Sequence, residues 1–255
     1  MYDLLKHMRH LLRRQFITVP LSVASLRSMP DYRSILLVAP HPDDEIIGIG
    51  GFLVRHLRAG RRAAIVYLTD GERSLEDLDP SVVASERSNL TNRVLSRLGV
   101  PGNLAIRLHL PDGDVPRANG DQDQFLDAAR RLRAVIDEER PDAVLVTHPL
   151  ETWPYDHVAA HELVVEALKS SSRKCDLYGY WVWLWYCMPL KKVRSIRWRQ
   201  VSRLDIMETL SEKAVLMDQY LGALAPDGRP WSGVLPKAML KVFERPYEVV
   251  EKLGN

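Results

Sequence analysis

Apolar residues along this chain fall into two alternating patterns. Short continuous apolar runs at residues 34–39, 63–69, 104–108 and 143–147 read as buried strands. Each is followed by a longer stretch with apolar residues at helical spacing, residues 44–59, 82–98, 122–139 and 156–169. Gly60 and Gly99 stand where the first two helices should stop, since glycine adopts the left-handed closing turn without a steric penalty. This rhythm predicts an α/β fold, a mostly parallel Rossmann-like sheet with helices on both faces. In such sheets ligands bind at the strand C-terminal ends. Beyond residue 170 the pattern is less regular. An aromatic apolar window, residues 177–190, reads as a buried strand with its flanks; a basic stretch, a helix over 206–221 and a proline-rich tail follow.

Residues 1–16 carry a further helical pattern, with Leu4, Leu5, Met8, Leu11, Leu12 and Phe16 on one face and Lys6, Arg9, Arg13 and Arg14 among them. Such a helix docks on its own domain or lies on an anionic membrane surface. The chain is accordingly divided into a basic amphipathic extension, 1–33, and one α/β domain, 34–255. No apolar leader core and no window long enough to span a bilayer is visible. Two cysteines, Cys175 and Cys187, make no disulfide framework and no thiolate metal cage. The expected location is the cytoplasm, with membrane-surface association through 1–16 as an option. A net charge of +2 gives no reason to expect a nucleic-acid partner. The basic run from Lys191 to Arg199 is either a solvated loop or a grip on a phosphate or acidic glycan.

The chemistry concentrates in Pro40-His41-Pro42-Asp43-Asp44-Glu45, at the junction of the first strand and first helix. Polar groups packed this closely are costly to bury unless a metal or substrate satisfies them. His41 and Asp44, three residues apart, can reach one ion and form half of a catalytic zinc site, which takes three protein ligands and keeps one open position. Asp43 points elsewhere, free to handle a water molecule. The third ligand should come from another strand end. His157 is best placed, with His161 one turn on along the same helix face and His148 at the end of the preceding strand as alternatives.

His41-Pro42-Asp43-Asp44-Glu45, followed by Gly48 and Gly50-Gly51, resembles the signature of the PIG-L/LmbE-like zinc-dependent N-acetylglucosamine deacetylases. Thr69-Asp70-Gly71, Arg87 before Leu98-Gly99, Leu110-Pro111-Asp112-Gly113, Thr147-His148-Pro149, Asp156-His157, and Lys213 with Gln219 resemble later family features in the same order, over about residues 34–222. The resemblance implies Zn2+, or another divalent metal, held by His41, Asp44 and His157. It implies Asp43 as general base and Arg87 as a substrate contact. The implied reaction is hydrolysis of the N-acetyl group of an N-acetylglucosamine-type conjugate, releasing acetate and a free amine. Hydrolysis of a different amide, or non-catalytic glycan binding, are the alternatives. Two positions depart from the family. Pro154 stands where a histidine often supports the oxyanion, so Tyr155 or His148 becomes the candidate donor; Leu90 stands where an acid commonly follows Arg87.

Overall fold

The computed structural model describes residues 16–22 and 29–254. Residues 16–22 are helical, α1, burying Ile17 and Leu21 and leaving Phe16 exposed. Apart from Phe16, the amphipathic pattern of residues 1–16 lies outside the described residues. The domain then alternates β1 (Ser34–Ala39), α2 (Asp44–Arg58), β2 (Arg62–Tyr67), α3 (Pro80–Leu98), β3 (Ala105–Arg107), α4 (Gln122–Glu139), β4 (Ala143–Thr147), α5 (Tyr155–Ser170) and β5 (Asp176–Tyr180). A helical turn α6 (Leu184–Cys187), β6 (Val201–Asp205), α7 (Leu210–Leu221), a turn α8 (Lys237–Leu240) and β7 (Tyr247–Leu253) complete it.

The seven strands form one sheet in the order β3-β2-β1-β4-β5-β7-β6. β1 to β5 are mutually parallel, and β7 and β6 extend the sheet antiparallel. The chain winds outward from β1 to β3, crosses back to β4, and winds the other way to β5. Right-handed crossovers then put α2 and α3, packed with α7, on one face and the α4–α5 pair on the other. β1 and β4 are adjacent where the winding reverses, and their ends diverge there into a crevice. β4 is buried along its whole length, which is why it reads as an unbroken apolar run.

Two features of the last third differ from the expected pattern. The aromatic window is not one strand: β5 stops at Tyr180, the last residue paired with β7, and the chain turns into α6. The turn is held by Glu151, whose Oε1 accepts from Val182 N–H at 2.6 Å and Leu184 N–H at 3.2 Å. The proline-rich tail contains β7, whose alternation is hidden because Glu248 and Glu251, charged by sequence, are buried. Glu251 is paired with Arg197 and hydrogen-bonded to His148, and Glu248 is paired with Lys213.

α2 is also not continuous. Its helical dihedrals break at Ile49 (φ −142°, ψ 27°). The orphaned N–H groups of Gly51 and Phe52 both donate to the Glu248 carboxylate at 2.8 Å. The orphaned Ile47 carbonyl accepts from Lys213 Nζ at 2.8 Å, and Lys213 is 2.7 Å from Glu248. A buried ion pair thus caps both sides of an internal helix break. The first turn of α2, which carries Asp44, is thereby tied across the break to the rest of the helix.

Candidate active site

His41 follows β1, Asp44 opens α2, and His157 lies in the first turn of α5 after β4. The structure brings these three together: His41 Nδ1 is 3.1 Å and His157 Nε2 is 3.2 Å from the same oxygen, Asp44 Oδ2. One donor atom from each lies within 4.8 Å of the others. Beyond that contact with Asp44, the buried His157 Nε2 has no hydrogen-bond partner among the described residues. A converging N/O/N donor set with one orphaned nitrogen fits a divalent cation. Burial alone would lower the His41 pKa, but Asp112, Asp156 and Asp44 hold it well above the ordinary imidazole value. Burial likewise opposes the charged form of His157, yet Asp44 and Glu151 raise it to about 9. These carboxylates favour a positive charge at this point, whether carried by protons or by a metal ion that displaces them.

A shell of carboxylates orients the two rings. His41 Nε2 lies 3.0 Å from Asp156 Oδ2 and 3.2 Å from Asp112 Oδ1, which leaves Nδ1 as the ligating nitrogen. These acids form a second candidate metal group with His41. Their oxygens, however, also accept backbone N–H groups, from Gly113 and Val115 for Asp156 and from Arg73 for Asp112, which suits an orienting role. His157 Nδ1 is 2.6 Å from the fully buried Glu151. Sequence reasoning missed Glu151, and gave no role to Asp112 or Asp156 beyond the motifs containing them. The available signal for Glu151 was an acid close behind a strand that ends in Thr-His-Pro. Glu151→Gln should weaken metal binding about 10- to 100-fold, read by competition with a chelator. Unchanged affinity would remove Glu151 from the site.

Asp43 is buried beside this group but outside it, at φ 139°, a backbone conformation that L-residues rarely adopt. Its N–H donates to Glu45 Oε2 at 2.9 Å, and Glu45 is fixed in turn by the hydroxyls of Tyr67 and Tyr220. Arg87 Nη2 donates to the Pro42 carbonyl at 2.5 Å and lies 3.3 Å from Asp43 Oδ2. Gly71 is needed here, since a Cβ would sit 2.5 Å from the Arg87 guanidinium carbon. Burial outweighs the Arg87 charge and raises the Asp43 pKa to about 7. A carboxylic acid so tuned can accept and return a proton near neutrality. Arg87, read from sequence as a substrate contact, has its guanidinium engaged with Asp43 and the adjoining backbone while still bordering the cleft.

The remaining sequence candidates separate. His148 does not face the catalytic cleft. Its Nε2 is 2.9 Å from Glu251, its Nδ1 accepts from Leu150 N–H, and it borders a smaller cleft together with His161 and Arg197. This removes His148 as an oxyanion donor and as a ligand to the group above. His161 is one turn deeper along α5 than His157, about 6 Å by helical rise, and has left the strand ends. Most of the basic run forms 3₁₀ turns over Leu190–Ser195 and Trp198–Gln200, and none of it borders the catalytic cleft. Tyr155 and Pro154 do border it, and the Tyr155 hydroxyl makes no hydrogen bond among the described residues.

His161 gives a separate test. Burial, above all, pushes its pKa from 6.5 down to about 4. Its neutral form contributes stability that is complete above the unfolded pKa and is lost as pH falls towards the folded one. His161→Gln should therefore abolish about 3 kcal/mol of acid destabilisation between neutral pH and the folded pKa, read from urea unfolding at several pH values. An unchanged pH slope would contradict a buried neutral ring.

With this geometry in hand, comparison with known proteins is informative. The model of the GlcNAc-PI de-N-acetylase family, PIG-L, matches residues 36–168, just over half of the 255 residues. The chain belongs to this family. It is 31% identical over 176 residues to the 1D-myo-inositol 2-acetamido-2-deoxy-alpha-D-glucopyranoside deacetylase of Kineococcus radiotolerans, covering 58% of this chain and 48% of that one. The chain thus spans about half the length of the curated relatives it matches. Among solved structures it resembles the N,N'-diacetylchitobiose deacetylase of Pyrococcus horikoshii, with a TM-score of 0.60, 19% identity and coverage of 77% and 73%. The 4-carboxy-2-hydroxymuconate hydratase GalB of Pseudomonas putida is also similar, with a TM-score of 0.58, 22% identity and coverage of 75% and 80%. These structural likenesses establish the fold, and the hydratase among them carries a different reaction on it, so function rests on the site.

Proposed function

We propose that this protein is a metal-dependent N-deacetylase that hydrolyses the acetamide of an N-acetylglucosamine-type conjugate, giving acetate and a free amine. The observation that carries the reading is a buried carboxylate, Asp43, beside but outside three convergent donors, two of which, His41 and Asp44, line with it an open cleft of about 520 Å3. His41, Asp44 and His157 would hold the ion, with zinc suited to this donor set and another divalent metal as the alternative. When bound, the metal supplies a Lewis acid that polarises the amide carbonyl and eases deprotonation of the attacking water. Asp43 takes that proton and returns it to the nitrogen as the carbon–nitrogen bond breaks. Arg87 acts through Asp43, holding its carboxylate towards the cleft. The deacetylase activities named for relatives support the amino-sugar substrate.

With Pro154 lacking a donor and His148 committed to Glu251, Tyr155 is the side chain assigned to the oxyanion. Tyr155→Phe should then lower kcat by roughly two orders of magnitude with little change in KM. A variant that keeps full kcat would exclude that role. No helix among the described residues is long and apolar enough to cross a membrane. A cytoplasmic location belongs to the same proposal, and the sequence pattern of residues 1–16 leaves either docking on the domain or association with a membrane surface as its alternatives. The decisive experiment is acetate release from a panel of N-acetylglucosamine conjugates by zinc-loaded protein. Release that a chelator abolishes is expected, and a metal-replete protein that releases none would refute the reading.

A further inference from the structure

We propose that the protein carries a second binding site, remote from the catalytic cleft, for an organic phosphate with an apolar body. An open cleft of about 780 Å3, a volume suited to a small molecule, lies at the opposite edge of the sheet, where α2 and α3 end and β2 begins. It shares no residue with the catalytic cleft. Four arginines line it, Arg58, Arg61, Arg62 and Arg97, and Glu212 is the single acid among its lining side chains. Between the arginines the surface is apolar, with Leu57, Leu98, Leu104 and Leu216 its largest side chains.

Helix ends account for only part of this charge. Arg58 and Arg97 lie in the last turns of α2 and α3, where cations offset the negative helix ends. Arg61 and Arg62 lie beyond α2 and have no such role. Arg58 pairs with Glu212, Arg61 with Asp31 and Arg62 with Glu139, while Arg97 makes no ion pair or hydrogen bond among the described residues. The Arg58 side chain is 59% exposed and the Asp31 side chain 78% exposed, so the first two pairs are weak and can exchange a carboxylate for a ligand oxygen. Each guanidinium also has five N–H donors, more than one carboxylate takes up.

The lining narrows the ligand class. A dianionic phosphate accepts guanidinium forks in bidentate fashion, and four of them against one acid favour it over a monocarboxylate. Among the described residues no hydroxyl, amide or imidazole side chain and no aromatic ring lines the cleft, so sugar hydroxyls and nucleobase edges would go unmet. A hydrocarbon body needs no such partner and gains from each methylene removed from water. Leu104 and Leu216 are buried, so a molecule must enter the cleft to reach them, which a bilayer surface cannot do. Segments of this chain outside the described residues suit the cleft poorly. Residues 1–15 carry Lys6, Arg9, Arg13 and Arg14 against Asp3, and residues 23–28 carry Arg27 and no acid, so an arginine rim repels both.

Calorimetry at constant ionic strength with zinc-loaded full-length protein tests this, using inorganic phosphate, n-hexyl phosphate and 1-hexanol. Hexyl phosphate should bind at least about tenfold more tightly than either of the other two. Arg97→Gln and, independently, Arg58→Gln should each weaken it about three- to tenfold, while binding persists in Asp44→Asn, which disrupts the donor set of the catalytic cleft. Both arginines are exposed side chains at helix ends, so the fold stands without them. Hexyl phosphate binding no tighter than phosphate, or binding unchanged in either arginine variant, would overturn the proposal. So would binding lost in Asp44→Asn and retained in Arg97→Gln, since the ligand would then sit in the catalytic cleft. Capture by phosphatidic acid vesicles without affinity for dissolved hexyl phosphate would mark a membrane surface instead and equally overturn it. None of these outcomes depends on acetate release, so failure of the deacetylase reading would leave this site standing.

Discussion

Asp43→Asn is expected to lower amide hydrolysis by about two to four orders of magnitude while metal content stays at the wild-type level. Asparagine conserves the shape of the side chain and its contact with Arg87. It also tolerates φ > 0 better than alanine does, which matters at φ 139°. What it removes is the ability to take a proton. Asp43 makes no contribution to the group of three convergent donors, so the ion should remain. Asp44→Asn behaves differently, because Asp44 Oδ2 is the atom on which both histidines converge. That variant should lose metal and activity together. Metal analysis beside acetate release separates the two. Turnover within tenfold of wild type in metal-loaded Asp43→Asn protein would eliminate Asp43 as the base.

The second large effect is on stability. Glu248→Ala should cost about 3–5 kcal/mol, because it leaves the buried Lys213 ammonium without its counter-ion. The same change strips the Gly51 and Phe52 N–H groups of their acceptor at the α2 break. Urea unfolding reads the loss directly. The double variant Glu248→Met with Lys213→Met should recover much of it, since removing both charges avoids the orphaned ion. A single-variant loss below about 1 kcal/mol would mean that water reaches Lys213 and the pair is not a buried clamp.

The parts of this molecule that were legible in the sequence are those where local pattern and burial agree. β1 and β4 are apolar except for Ser34 and Thr147 at their ends because both faces are covered, and α2 to α5 carry helical periodicity between glycine or polar boundaries. His41, Asp44 and His157 were legible because each sits at a strand end that topology brings to one crevice. What was illegible depends on long-range partners. β7 looks like a polar tail until Lys213 and Arg197 are seen to pair with Glu248 and Glu251. The distinction between His157 and His161 is one helical turn of depth, which spacing alone cannot express. Glu151 gives no periodic signal, since its partners come from two other segments, His157 in α5 and the Val182–Leu184 turn. Arg87 appeared available for a ligand because its engagement with the strained turn at Asp43 is set by the position of Gly71, itself outside any helix or strand.

The clamp at the α2 break has a consequence for the order in which the protein becomes competent. His41, Asp43, Asp44 and His157 are all synthesised by residue 157, whereas Glu248, which accepts from the N–H groups just after the break, is added some ninety residues later. A chain emerging from the ribosome therefore carries all four side chains well before it has the strand that clamps the α2 break. β7 enters the sheet between β5 and β6, against residues already made. The turn of α2 that carries Asp44 should accordingly be held loosely until β7 docks. Closing that break is thus left to a strand made after every side chain of the candidate site.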